Sequence, residues 1–259
     1  MRADQLLVAR GLAASRTQAQ RVIATGVQWR AGARSGAVWQ MVARNSDILP
    51  DEAELQVLDD RETRYVSRGG VKLEFALAQT GVVVSGRWCL DVGQSTGGFT
   101  DCLLREGALS VTGVDVGHGQ LHPSLLGDPR VRCHEHVNAR DPAALAALGE
   151  APFDLIVGDL SFISQTLVLP ALRPWLAPEG DLLMLVKPQF ELQPEQIGKG
   201  GIVRDERFFV EVEQRIRACC EQLKLEVRHW FSSPITGGDG NREYFMHAVP
   251  GPDVGEMKS

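Results

Sequence analysis

The chain has 259 residues, 44% hydrophobic and 23% charged, with a formal net charge of −6, an ordinary composition for a soluble globular protein with a sizeable core. Its longest apolar stretches, such as 182–186, fall far short of the roughly 20 residues needed to cross a bilayer, and the start MRADQLLVARG lacks a signal-peptide apolar core. A membrane span is therefore excluded at the level of sequence, and a cytoplasmic protein is expected.

Five cysteines, Cys89, Cys102, Cys133, Cys219 and Cys220, form no C-x-x-C pair, which argues against a disulfide framework or a zinc site and for reduced thiols. The net charge hides an asymmetry. Residues 1–46 hold seven arginines and one acid, Asp4, leaving −12 on the remainder. A basic head on an acidic body can still neutralise phosphates; an arginine-rich solvated face is the plainer alternative, and charge alone leaves both open.

In chain order, the first 25 residues read as two short helices. Leu6, Leu7 and Ala9 precede a stop at Gly11; Ser15 then serves as N-cap for a stripe of Ala19, Val22 and Ile23 ending at Gly26. Short β-like pieces follow at 27–29, 37–40 and 54–58, between Gly, Asn, Asp and Pro turn signals. Next comes SRGGVKLE (67–74), which has the position of a linker but opens a helical run through Lys72, Phe75, Ala76 and Gln79.

From Gly86 short apolar strands alternate with amphipathic helices, the signature of a mostly parallel sheet covered on both faces. Strands are expected at 88–92, 111–116, 131–134, 155–158, 182–186, 226–231 and 243–249; helices at 99–106, 164–175 and 206–223, the last capped by Asp205. The division expected is a small α+β domain over 1–61, a linker and pre-sheet helix over 62–85, and an α/β domain over 86–252.

CLDVGQSTGGFTDCLL (89–104) is a strand, a glycine-rich turn and a helix start, which places a backbone approach site at the carboxyl end of the first strand. It lacks the G-x-G-x-x-G spacing of dinucleotide binders. The next strand ends in Asp115, placed to accept hydrogen bonds from ribose hydroxyls or merely to cap the following segment. Together with seven strands, the last two able to form a hairpin, these features resemble a class I Rossmann-like methyltransferase that uses S-adenosyl-L-methionine. Asp159 and Lys187 each end an apolar strand, and Glu243 begins the last one; if that strand runs antiparallel, all three meet at one rim.

His134, His136, His118 and His122 offer no convincing metal-ligand set, so no metal is expected. GKGGIVRD (198–205) lacks the strand and spacing of a phosphate loop, and reads as a mobile cover with Gly198, Gly200 and Gly201 as hinges.

YVSRGGVKLE, DVGQSTGGFTDCLL, VDVGHGQL, VGDLSFIS, LVKPQFE, GKGGIVRD and SPITGGDGNREYF resemble, in this order, the TlyA family of ribosomal RNA 2′-O-methyltransferases, long also known under the name haemolysin A. The resemblance spans the chain, since the head is similar to a small RNA-binding domain shared with a ribosomal protein and pseudouridine synthases. It departs at VQWRAGARSGAVWQ (27–40), where a short turn is usual, so RNA contacts are not carried over there.

The catalytic half is similar to ribosomal RNA ribose methyltransferases that use a Lys-Asp-Lys-Glu tetrad, which implies Lys72, Asp159, Lys187 and Glu243 here. The implied cofactor contacts are Asp91, Gly93, Ser95, Thr96, Gly97, Gly98, Phe99, Asp115, Val116 and Asn138; the implied RNA contacts are Arg10, Arg16, Arg21 and Arg68. Lys187 would be base or orienter, with Asp159 aligning it and Lys72 and Glu243 holding the ribose. A lysine of pKa about 10.4 is almost wholly charged at neutral pH, so a base role needs a depressed pKa. The implied substrate is cytidine in small- or large-subunit ribosomal RNA, bound by a monomer or weak dimer. A membrane-active haemolysin and a non-catalytic RNA-binding regulator are the rivals; the second would show a decayed cofactor turn or a broken tetrad, and neither is seen.

Overall fold

The computed structural model describes residues 1–32, 37–60, 63–149 and 152–252. It divides into two compact units, Met1–Val71 and Lys72–Ser259; residues 61 and 62, where the sequence puts a domain boundary, lie outside the described residues.

In the first unit α1 (Ala3–Ala9) and α2 (Arg16–Gly26) bury Leu6, Leu7, Ala19, Val22 and Ile23 against a three-stranded antiparallel sheet of order β2-β1-β3. Its strands are β1 (Val27–Arg30), β2 (Gln40–Met41) and β3 (Glu54–Val57). Ser15 caps α2 by accepting from the Gln18 amide. Asp4 is fully buried, and hydrogen bonds from Arg2, Arg16 and Gln20 hold its carboxyl well below the usual range. The strand expected at 37–40 shrinks to Gln40 and its neighbour Met41; Trp39, just outside the ladder, lies under the Arg30 guanidinium, 4.7 Å from ring centroid to Cζ.

Helix α3 (Arg68–Thr80) begins in SRGGVKLE. Gly70 is obligatory by close approach: a Cβ there would sit 2.2 Å from Cγ of the buried Tyr65.

The second unit carries a seven-stranded sheet of order β6-β5-β4-β7-β8-β10-β9. The strands are β4 (Trp88–Val92), β5 (Ser110–Val114), β6 (Val131–His134), β7 (Phe153–Asp159), β8 (Leu176–Val186), β9 (Leu225–Ser232) and β10 (Tyr244–Pro250). Strands β4 to β8 pair in parallel, and β10 runs antiparallel between β8 and β9, the class I methyltransferase arrangement. Its helices are α4 (Gly98–Arg105), α5 (Pro123–Leu126), α6 (Pro142–Ala146), α7 (Gln165–Leu172) and α8 (Glu206–Gln222), the last capped by Asp205 as expected.

Several boundaries differ from expectation: β8 begins at Leu176 where 182 is expected, and two others move for local reasons. β5 stops at Val114, not residue 116, because the Asp115 side chain captures the Ser95 and Gly117 amides and turns the chain. The helix expected at 164–175 ends at Leu172 and tightens into a 3₁₀ turn, Arg173–Trp175, which carries Pro174. Within α7, Pro170 lacks the amide that would bond the Thr166 carbonyl, and the Cys219 thiol approaches that carbonyl at 3.9 Å.

One sheet face is organised by a row of aromatic rings: Phe99 on Phe245, Phe245 on Phe231 and Phe231 on Phe75, with centroids 5.9–6.3 Å apart. The row ties α4, β10, β9 and α3 together, and fixes α3 one turn from Lys72. Phe245 is fully buried. Phe245→Ala should lower stability by about 3–5 kcal/mol, measured as a lower midpoint in urea with little change in slope.

Candidate active site

The strand register builds the rim. Asp159 ends β7 opposite Leu185, and Tyr244 pairs with Val186, so Asp159, Lys187 and Glu243 sit within a residue or two of one another along the carboxyl edge of β7 and β8. The antiparallel course of β10 is what brings Glu243 there. Lys187 Nζ lies 2.5 Å from Asp159 Oδ1 and donates to Ser161 Oγ at 2.8 Å. An ammonium has three donors; Ser161 takes one, while the contact with Asp159 is an ion pair that leaves Oδ1 without a hydrogen-bond partner.

From α3, Lys72 forms an ion pair with Glu243, and both side chains are almost fully buried. Burial raises the Glu243 pKa above its usual value; Lys72 and Lys187 oppose the shift, and Asp159 adds to it. Each of the other three charges therefore acts on Glu243, as it must if the four lie at one place.

Beside the rim is a cavity of about 500 Å³ at the carboxyl ends of β4, β5, β6 and β7. Gly93, Ser95, Asp115, Val116 and Asn138 line it, with Asp159, Leu160, Ser161 and Phe162. Gly93 has φ +81°, and a Cβ there would fall 2.7 Å from the Asp159 carbonyl, so only glycine leaves this wall open. Asp115 receives the Ser95 and Gly117 amides at 2.8 and 2.7 Å, one on each oxygen, and each oxygen keeps a lone pair.

Asp91 lies buried at the end of β4. Its Oδ2 accepts from Thr100 Oγ1 at 2.7 Å, Oδ1 has no partner, and burial pushes the carboxyl up to about 7. A buried carboxylate oxygen without a donor fits a cationic ligand group.

Five candidate contacts stand outside the cavity lining: Asp91, buried within β4, and Thr96, Gly97, Gly98 and Phe99. Gly97, at φ +90°, packs where a side chain would strike Leu125 and Leu121, and Phe99 is buried on Phe245. The last four start α4 and carry the turn.

Sequence reasoning also missed contributors. Ser161 and Phe162 follow Asp159 directly in VGDLSFIS; Phe162 is 89% exposed, at φ +63°, with its ring 4.9 Å from that of Phe190. Gln120 and Arg140 also line the cavity. Asn241, two residues before Glu243, is buried, donates to the Gly201 carbonyl at 2.8 Å and accepts from the Val203 amide at 2.9 Å. The 198–205 segment, expected as a mobile cover, is thus clasped at its centre. Asp239 completes the clasp by accepting from Asn241 and from Gln189.

In the first unit the arginines are partly committed. Arg16 pairs with Asp4 at 3.1 Å, and Arg10 donates to the Asp51 carbonyl at 2.7 Å. Arg21 and Arg68 lie on α2 and at the start of α3.

Residues 65–249 match the family model described as FtsJ-like methyltransferase. The chain belongs to this family. Among its relatives is the 16S/23S rRNA (cytidine-2′-O)-methyltransferase TlyA of Mycobacterium tuberculosis, 41% identical over 95% of this chain and 88% of that protein. Hemolysin A of Brachyspira hyodysenteriae is 37% identical over 96% of this chain and all of its own length. A solved structure from Streptococcus thermophilus that carries the hemolysin name superposes with a TM-score of 0.71 at 38% identity, covering 99% of this chain and 92% of that one. In this FtsJ-like chain no helix among the described residues is long and apolar enough to cross a membrane.

The Asp91 carboxyl gives a pH signature. Its folded-state value of about 7 exceeds the ordinary 3.8, so the stability associated with it is fully present below about pH 4 and falls as pH rises to about 7. Asp91→Asn should remove this decline, read as a flatter profile of urea midpoint against pH over that window.

Proposed function

We propose that this FtsJ-like protein is an S-adenosyl-L-methionine-dependent methyltransferase acting on the ribose 2′-hydroxyl of ribosomal RNA, as the name of its M. tuberculosis relative describes. The observation that carries the reading is the meeting of the Asp159–Lys187 and Lys72–Glu243 pairs at the edge of the glycine-walled cavity. The cavity residues fit the cofactor: Gly93 and Ser95 give backbone approach, and Asp115 has lone pairs for a ribose diol; Asp91, buried two residues before Gly93 and outside the cavity lining, keeps an orphan oxygen that suits a cationic group. The cofactor supplies a sulfonium methyl that needs no further activation.

The protein's task is then alignment and one proton. An N–H of Lys187 not used by Ser161 holds the attacking hydroxyl oxygen, while the ion pair with Asp159 and the hydrogen bond to Ser161 fix the position of the ammonium. The proton lost by that hydroxyl would go to the Asp159 carboxylate, because Lys187 as an ammonium has no lone pair to receive it. Lys72 and Glu243, held by the aromatic row beneath α3, bind the ribose beside it. The basic head supplies phosphate contacts through Arg10, Arg16, Arg21 and Arg68, with Arg10 and Arg16 also bracing their own unit.

Methyl transfer from labelled cofactor to purified ribosomal subunits, with mapping of the modified nucleotide, tests the reading. Lys187→Ala should reduce transfer by about 10²–10⁴-fold with cofactor affinity near wild type by calorimetry; wild-type turnover in this variant would overturn the assignment. Asp115→Ala should instead weaken cofactor affinity in the same titration.

A further inference from the structure

The segment 198–205 has an ordered structure that the catalytic reading does not use. Asn241 bonds Gly201 and Val203 across its centre, and within it Gly198 donates to Ile202 and Gly201 to Gly198. The side chain of Asn241 thus fixes this loop to the chain that enters β10 two residues later at Glu243.

The loop's charges are unusual for this unit. Its arginines are mostly neutralised nearby: Arg207 pairs with Asp205, Arg215 with Glu211 and Arg242 with Glu206. Lys199 and Arg204 are both exposed, and among the described residues neither side chain has a hydrogen bond or ion pair. The acid beside Arg204, Asp205, is already taken by Arg207 and by its role as helix cap. Gly200 and Gly201 between the two cations have positive φ, and a Cβ on either would meet nothing, so the backbone there is open to approach.

Unpaired cations cost nothing to expose, but an acidic surface disfavours a polyanion unless some charge is left free where the strand must pass. We propose that the clasped loop 198–205 is a phosphate-binding edge of the catalytic unit, in which Lys199 and Arg204 contact the RNA backbone flanking the nucleotide held at Lys187. This rests on the RNA-methyltransferase reading above. The loop acts as a fixed shelf, not a hinge, because Asn241 sets its distance from Glu243.

Binding of the full-length protein to purified ribosomal subunits, measured across a salt series, tests the shelf. Each phosphate contact contributes about 0.7–0.9 to the slope of log affinity against log salt, so Lys199→Gln with Arg204→Gln should flatten the slope by about 1.5 and weaken binding at least about fivefold at low salt, with cofactor affinity unchanged. The charge-preserving exchange Lys199→Arg with Arg204→Lys should keep the wild-type slope, as should Arg228→Gln, which removes a cation already paired with Glu226. A double glutamine variant with wild-type affinity and slope, alongside wild-type protein that methylates the subunits, would overturn the shelf and leave the proposed function standing. If the wild-type protein transfers no methyl group to RNA, the proposed function fails and the shelf falls with it.

Discussion

The arrangement turns on the buried ion pair between Lys72 and Glu243. Taking both charges out of water costs several kcal/mol per ion before mutual attraction is counted, and little in the surrounding apolar packing needs it. Its value lies in where its ends are attached: one on the first turns of α3, the other at the entry to β10. The Phe75–Phe231–Phe245–Phe99 row holds these elements at fixed separation, so the pair can form only when helix and sheet are both in place. Removing either charge would strand the other in a dry site.

Around this pair the remaining chemistry is set by strand direction. Parallel strands deliver Asp159 and Lys187 to their carboxyl edge, and an antiparallel strand delivers its first residues there instead. Four distant segments meet because one strand, β10, runs against its neighbours β8 and β9. The same edge exposes the turn after β4, where Gly93 leaves room and Asp91 is pressed into burial.

Much of this was legible in the sequence because strand ends carry punctuation. Asp115, Asp159 and Lys187 each follow an apolar run directly, and the alternation of such runs with helical stripes sufficed to find all seven strands, although β8 begins at Leu176, well before the expected 182. The charge division was equally plain. What could not be read were features created by side chains meeting across the fold. Phe99 looks like part of a glycine turn, but helix α4 turns it into the core. Asn241 sits in a run of turn residues with nothing to mark it as a buried clasp, so three glycines in 198–205 read as hinges. Boundaries failed where side chains competed for backbone partners, as at Asp115, or where proline reshaped a helix end, as after Leu172.

The position of β10 also constrains how the molecule comes into being. β8 belongs to the middle of the sheet, yet its neighbour on one side is residues 244–250, the last strand in chain order. During synthesis at about 5–20 residues per second, the earlier strands can pair as they emerge while β8 keeps an open edge and β9 has no neighbour. Glu243 arrives with the segment that closes this gap. The rim that gathers Lys72, Asp159, Lys187 and Glu243 is thus completed last, and a chain released before that strand would carry an apolar edge, a lone lysine and an incomplete rim.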